Sequence, residues 1–488
     1  SVVKGSDLWV ENVVVGGGFT SRFMETPDGH ITTNGRQLYF YSDLNEHLVA
    51  QIDGERNQAT LGHPVAAYVN YNSNLILTLT DGRIVDVSPQ GKVETIAGWR
   101  VKPGMTAPYW DSQNFNKFGK DGKVFFDAHY EAVGNFVDGP GFLFEPWDAI
   151  PDPRDNEIVY VTDSLHHRIV KVDRHTRPAT VTTYAGSLTG QAGYRDGIGV
   201  NALFREPWNI AILPDGTMFV SDRLNHAIRK ITPDRTVTTL FRSTLLPDVS
   251  AITTNARQPS NEGKTVDQRR TAYMKNGAFD QATLIYPEGL RFDSAGRLVV
   301  AENLIMVIRK IDIQTGRIDF FSSAPRPSDF TSRNINIAMD DGTCGPRDDV
   351  LAATFAQGGP WRISNDGLRT TVLAPLTDGT VDYSHGRANY LKNIGYPWFA
   401  VCGQGASWMG GVSEGLYRLT LAKPGDPILD VKAYKAGRTV YGAGTVPGFP
   451  SRPSFGLLHG AQGNDHFGGK PFDHLASLSD GEITQLIQ

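Results

Sequence analysis

Cysteine is almost missing from this chain: Cys344 and Cys402 are the two in 488 residues. Neither a disulfide scaffold nor a multi-thiolate metal centre can be built from them, and one disulfide is the most they can form. Charge of one sign is also missing. Forty-seven Lys and Arg stand against 52 Asp and Glu, a formal net charge of −5, so there is no electrostatic footprint for nucleic acid or an anionic membrane face. No run approaches the roughly 18 to 20 apolar residues of a membrane-spanning helix. The GxSxG elbow, HExxH and phosphate-loop patterns are absent, and with them the familiar nucleophile, zincin and nucleotide chemistries. No charged and apolar leader opens the chain as given; we expect a periplasmic or secreted body.

What the chain has in plenty is punctuation. With 52 Gly and 28 Pro, and no Asn-x-Ser/Thr sequon, it reads as many short strands joined by turns rather than as long helices. A repeat organises those strands. Its clearest copies are FEPWDAIPDPRDNEIVYVTDSLHHRIVKVD (144–173), REPWNIAILPDGTMFVSDRLNHAIRKIT (205–232) and YPEGLRFDSAGRLVVAENLIMVIRKID (286–312). Each runs from a proline to an acid: Pro146 to Asp163, Pro207 to Asp222, Pro287 to Glu302. Weaker copies run from Pro27 to Asp43 and Pro64 to Asp81, and a further one starts at Pro360 or Pro397.

Within a copy, an apolar strand follows the proline, a turn such as PDG or SAG reverses it, and a second strand ends at the acid. IxKI makes a third strand, and VTTYAG (181–186) or VETIAG (93–98) a fourth. Four antiparallel strands per unit of about 40 to 45 residues is the arithmetic of a propeller blade, which buries its faces only against neighbouring blades. The expected fold is all-β: a six-bladed β-propeller, seven blades being the alternative, over residues 1–440. Segment LWVENVV (8–14) is placed to complete the last blade and remove an open edge. Stretches 99–136, 233–278 and 323–352 read as long insertions on one face. Residues 441–488 form an extension that ends in a short helix, with Ser479 as its cap and Glu482 at the capping-box position.

Segment 184–231, YAGSLTGQAGYRDGIGVNALFREPWNIAILPDGTMFVSDRLNHAIRKI, resembles the NHL repeat of six-bladed propellers. That resemblance implies the fold but leaves the activity open, because propellers host hydrolases, lyases, quinone-dependent dehydrogenases and binding scaffolds. The repeated elements have structural work of their own. Asp163 can accept backbone N–H groups at a tight turn, and His166 and His167, or Asn225 and His226, can tie strands together.

Inner strands of a propeller line its channel, so residues just after each blade-starting proline should lie at the channel mouth. Asp148, Asn209 and Glu288 supply hard oxygen ligands there, suiting Ca²⁺ or Mg²⁺ better than Zn²⁺. Trp147, Trp208 and Trp361 offer either a stacking floor for a substrate or packing between blades. Arg362 could steady an anionic group, and His63 or His385 could handle a proton. The set resembles that of sugar-lactone hydrolases of the gluconolactonase type, which draw Glu, Asn and Asp from different blades to hold a metal that activates water. The peptide-amidating propeller lyase places zinc histidines directly after such prolines, where this chain has Trp, Glu, Asp or Val.

The expectation is therefore an exported propeller enzyme: a metal-dependent hydrolase or lyase acting on a small oxygen-rich molecule at the channel mouth. Its rival is a non-catalytic scaffold for a protein or glycan partner. A third reading, a quinone-dependent dehydrogenase, rests on the architecture and on a tail, LSDGEITQLIQ, similar to the final helix of c-type cytochromes. The chain has no CxxCH for covalent haem.

Overall fold

The computed structural model describes residues 8–15, 31–33, 36–38, 64–69, 74–79, 82–89, 92–102, 130–246, 266–323, 335–354, 361–372, 386–387, 397–403, 406–411 and 415–421. Among them, six sheets of four or five strands are arranged as blades, antiparallel throughout except that Asn135–Phe136 pairs parallel with Thr180–Gly186 at the edge of one. Their innermost strands are Pro64–Val69, Pro146–Asp152, Pro207–Ile212, Pro287–Phe292, Ile335–Met339 and Pro397–Gly403, which number blades 1 to 6. Each inner strand packs against the next, and the sixth returns to the first, so the ring is closed. Strand Leu8–Val15 pairs antiparallel with Gly415–Leu421, making blade 6 a composite of both ends of the repeat region.

The core is a series of wedges between blades. Ile150, Tyr160 and Ile169 of blade 2 pack with Ile210, Met218 and Val220 of blade 3. Phe219 and Ile228 of blade 3 pack with Leu290, Leu298 and Val300 of blade 4. Strands buried on both faces explain the continuous apolar runs in the repeat, and why no blade is stable alone.

The blade-starting prolines leave a mark on the backbone. A following proline favours extended backbone, yet Glu145, Glu206 and Tyr286 all take positive φ, at 50°, 54° and 46°. Residues His167, His226 and Met306, which close the turn between the second and third strands, sit at 56°, 51° and 51°. Six strained positions in register mark a geometry that the surrounding bonds over-determine.

Two expectations are corrected. Blade 5 starts without a proline: its inner strand is Ile335–Met339, so 323–352 is not an insertion alone but holds that strand and the start of the next, Val350–Thr354. The copy expected from Pro27 contributes, among the described residues, only a hairpin pairing Ile31–Thr33 with Arg36–Leu38. A helix, Val266–Tyr273, lies in the connection from blade 3 to blade 4, whereas the C-terminal helix expected within 441–488 falls outside the described residues. No helix among the described residues is long and apolar enough to cross a membrane.

Candidate functional site

The most regular chemistry in the molecule is a buried clamp repeated in blades 2, 3 and 4. The acid ending each second strand accepts the backbone N–H of the residue two before the blade-starting proline: Phe144 to Asp163 at 2.6 Å, Arg205 to Asp222 at 2.8 Å, Ile285 to Glu302 at 2.6 Å. The same acids neutralise buried guanidinium groups of the third strand, in the pairs Asp163–Arg168, Asp222–Arg229 and Glu302–Arg309. Burial pushes the carboxyls of Asp222 and Glu302 up. Burial also pushes on Asp163, but His166 and Arg168 together outweigh it and hold that carboxyl below its ordinary value. The histidines join blades: His167 Nδ1 accepts the Glu206 N–H, and His226 Nδ1 the Tyr286 N–H, each at 3.1 Å. Burial, reinforced by the Arg223 charge, pushes His226 down to about 4, so it is neutral and an acceptor at physiological pH.

Where the inner strands begin, Trp147 and Trp208 stack at 3.9 Å with 17° between ring planes. The Arg223 guanidinium lies 4.6 Å from the Trp208 ring centre and 5.4 Å from that of Tyr286. Trp208 is thus held between an indole and a cation, and Trp147 and Trp208 pack between blades. Arg223 also donates through Nε to Glu288 Oε1 at 2.8 Å and through Nη1 to Glu206 Oε2 at 3.1 Å. Glu288 is wholly buried; burial raises its carboxyl, and Arg223 pulls it back. Its other oxygen accepts the Ile335 N–H at 3.3 Å.

Asp148 faces different partners. Its oxygens take Nη1 and Nη2 of Arg291 at 2.9 and 3.2 Å, and Oδ2 also accepts the Ile210 N–H at 2.9 Å. Asn209 is buried, with an Oδ1 that has no hydrogen-bond partner among the described residues. Among the described residues the contacts of Asp148 and Glu288 share no atom, and each carboxylate holds a guanidinium. Alternation along a strand accounts for this: Trp147, Trp208 and Glu288 each follow the blade-starting proline directly, whereas Asp148 and Asn209 come one residue later.

Trp361 and Arg362 were placed at a channel mouth; they belong instead to the third strand of blade 5, where Trp361 pairs with Ala352 and Val372. Arg362 Nη1 engages Asp340 at 2.6 Å and Asp349 at 3.2 Å. His63 and His385 lie outside the described residues.

An open space lies at the opposite end of the ring. A cavity of about 450 Å³ sits on the axis where the inner strands finish, with walls drawn from all six blades. Small and apolar side chains such as Ala67, Ile150, Ala211, Ala338 and Val401 line most of it. Its polar features are Arg291, Tyr68 and, beyond the end of the fifth inner strand, Asp341. The Arg291 Nη1 donates to Asp148 and to the Ile210 and Leu290 carbonyls, Nη2 donates to Asp148, and the Nε–H has no acceptor among the described residues. Counting from the prolines makes Arg291 visible in retrospect: it occupies the fifth position of its strand, where blades 2 and 3 have Ile150 and Ala211. A disulfide, Cys344–Cys402, joins the turn after the fifth inner strand to the sixth inner strand, and Cys402 lines the cavity.

No family model matches the chain. One curated relative, the protein SUPPRESSOR OF QUENCHING 1, chloroplastic, of Arabidopsis thaliana, is 44% identical over 73 residues, which is 15% of this chain and 6% of that protein. The chain therefore spans a small fraction of that relative's length. Among solved structures, virginiamycin B lyase from Staphylococcus aureus is 14% identical, covering 74% of this chain and 96% of its own, with a TM-score of 0.40. A gluconolactonase from Xanthomonas campestris is 12% identical, covering 84% and 97%, with a TM-score of 0.41. At these scores neither structure carries a functional argument.

Proposed function

We propose that this protein is a β-propeller that binds a small molecule in the axial cavity at the finishing ends of its inner strands. The observation that supports this reading is the cavity itself. Its 450 Å³ falls within the range of roughly 300 to 1,000 Å³ typical of small-molecule sites, and polar and apolar atoms share its wall almost equally although most of its lining side chains are apolar. Because Asp148 already neutralises Arg291, the guanidinium has donors to offer but little net charge. A neutral oxygen acceptor, such as a carbonyl or hydroxyl on a small oxygenated molecule, meets that requirement better than a free anion. The disulfide supports an oxidising compartment, periplasmic or extracellular.

Ligand-observed NMR with a set of small oxygenated molecules tests the reading. Wild-type protein should give saturation-transfer signals that disappear when the half-buried cavity residue Ile212 is replaced in Ile212→Trp, with the circular dichroism unchanged. Equal signals from both proteins, or none at millimolar ligand, would overturn it. A molecule that binds and is then converted over hours would move the reading to the hydrolase or lyase class. The metal-assisted version with Asp148, Asn209 and Glu288 as ligands would first require two guanidinium groups to be displaced.

A further inference from the structure

The corner of the cavity near the disulfide holds a second constellation. Ligand-capable atoms of Asp340, Cys344 and Cys402 lie within 4.8 Å of one another. The Cys402 sulfur stands 3.6 Å from Asp340 Oδ1 and 3.7 Å from Asp341 Oδ1. In a tetrahedral zinc site, with Zn–S near 2.3 Å and Zn–O near 2.0 Å, a sulfur and an oxygen ligand stand about 3.5 Å apart. The Cys402 sulfur already has about that spacing to one oxygen of each carboxylate.

Both carboxylates are also hydrogen-bonded. Asp340 Oδ1 accepts the Gly342 N–H at 2.8 Å, and its Oδ2 is held by Arg362 at 2.6 Å. Asp341 Oδ1 accepts the Thr343 N–H and hydroxyl at 2.9 and 2.6 Å. Such outer contacts orient ligating oxygens, and here they come from the turn Asp340–Cys344 itself and from Arg362 of the third strand of blade 5. Asp341 is exposed and both cysteines are half-buried, so an ion has a path in. Two thiolates cannot make an all-cysteine centre, but they make half of a mixed one.

We propose that reduction of the Cys344–Cys402 disulfide converts this corner into a Cys₂Asp₂ site for a thiophilic divalent cation, zinc above all. A dithiol reductant supplies two electrons and two protons, closing to its own disulfide as the S–S bond opens to two thiols. The cation then displaces both thiol protons into solvent, Asp340 is the third ligand, and the exposed Asp341 carboxylate, which lies outside the cluster of the other three, turns in as the fourth. The site is distinct from the axial cavity's Arg291 pole and does not depend on what that cavity binds.

Cobalt(II) is the probe. Protein reduced with a phosphine, desalted and given one equivalent of Co²⁺ should develop thiolate-to-cobalt charge-transfer absorption and tetrahedral d–d bands, which stoichiometric Zn²⁺ abolishes. Oxidised protein and Cys402→Ser should show neither. The exposed-site variant Asp341→Asn, whose amide oxygen can still accept from Thr343, should weaken Co²⁺ binding about 10- to 100-fold. Reduced protein that carries two titratable thiols and shows no charge-transfer absorption would overturn the proposal, whether it is folded or not. Binding that is indifferent to both Asp340→Asn and Asp341→Asn would overturn the ligand set.

Discussion

His226 Nδ1 accepts the backbone N–H of Tyr286 at 3.1 Å. A side chain at the turn of blade 3 thereby holds the strained residue that introduces blade 4, and both partners have positive φ. The rings meet edge to face at 4.7 Å, so the contact is packed as well as hydrogen-bonded. The bond exists only while His226 is neutral, because a protonated imidazole has no lone pair left to accept with.

Stability should therefore respond to acid in a defined window. Folding lowers the His226 value from 6.5 to about 4. Above pH 6.5 neither state binds the proton, and this contribution is fully present. As pH falls from 6.5 toward 4 the unfolded chain takes up a proton that the folded chain refuses, and stability declines by an amount approaching roughly 3 kcal/mol. Urea midpoints recorded across pH 4 to 7 should fall on the acid side. In His226→Asn, whose amide oxygen can still accept and whose backbone tolerates positive φ, the slope over that window should shrink by the share of one proton.

The glycine closing the fourth strand should be intolerant of any side chain. At Gly186 φ is 102°, and a Cβ there would stand 2.7 Å from the His167 carbonyl oxygen and 2.8 Å from the Arg168 Cα. Both obstacles are backbone and cannot rotate away. Gly186→Ala is expected to cost about 2 kcal/mol or more, read as a lowered denaturation midpoint. Gly141→Ala, where a Cβ would meet nothing within 4 Å, should stay within about 0.5 kcal/mol of wild type.

The structural share of this was legible because it repeats. The acid at the end of the second strand recurs in three copies, and Asp163 does accept a backbone N–H, but from Phe144 ahead of the blade-starting proline rather than from a tight turn; the histidines expected to tie strands together do so between blades, His167 to Glu206 and His226 to Tyr286. The site was less legible for two physical reasons. Strands have a period of two, so a difference of one position from the proline put Glu288 with the tryptophans and Asp148 with another neighbourhood. Blade 5 has no starting proline, so the phase of the repeat was lost there, and Trp361 and Arg362 were assigned to an inner strand they do not form. Arg291 was overlooked because a basic residue in YPEGLRFD reads as solvent-facing until the sixfold ring turns it toward the axis.

The Asp148–Arg291 pair joins blade 2 to blade 4 past the Ile210 carbonyl of blade 3, and both residues are buried. Removing one partner leaves the other charged and desolvated, so Arg291→Met or Asp148→Leu alone should cost about 3 to 5 kcal/mol. Removing both exchanges an ion pair for apolar side chains of similar size, which is often neutral or stabilising. The double variant should therefore recover most of the loss, and the denaturation cycle should show a coupling of at least about 2 kcal/mol. The two measurements then separate structure from binding. If the double variant regains its stability yet binds the cavity's ligand about tenfold more weakly, Arg291 serves recognition through the donors that Asp148 leaves free. If binding returns together with stability, the guanidinium only braces the channel, and the apolar walls alone select the ligand.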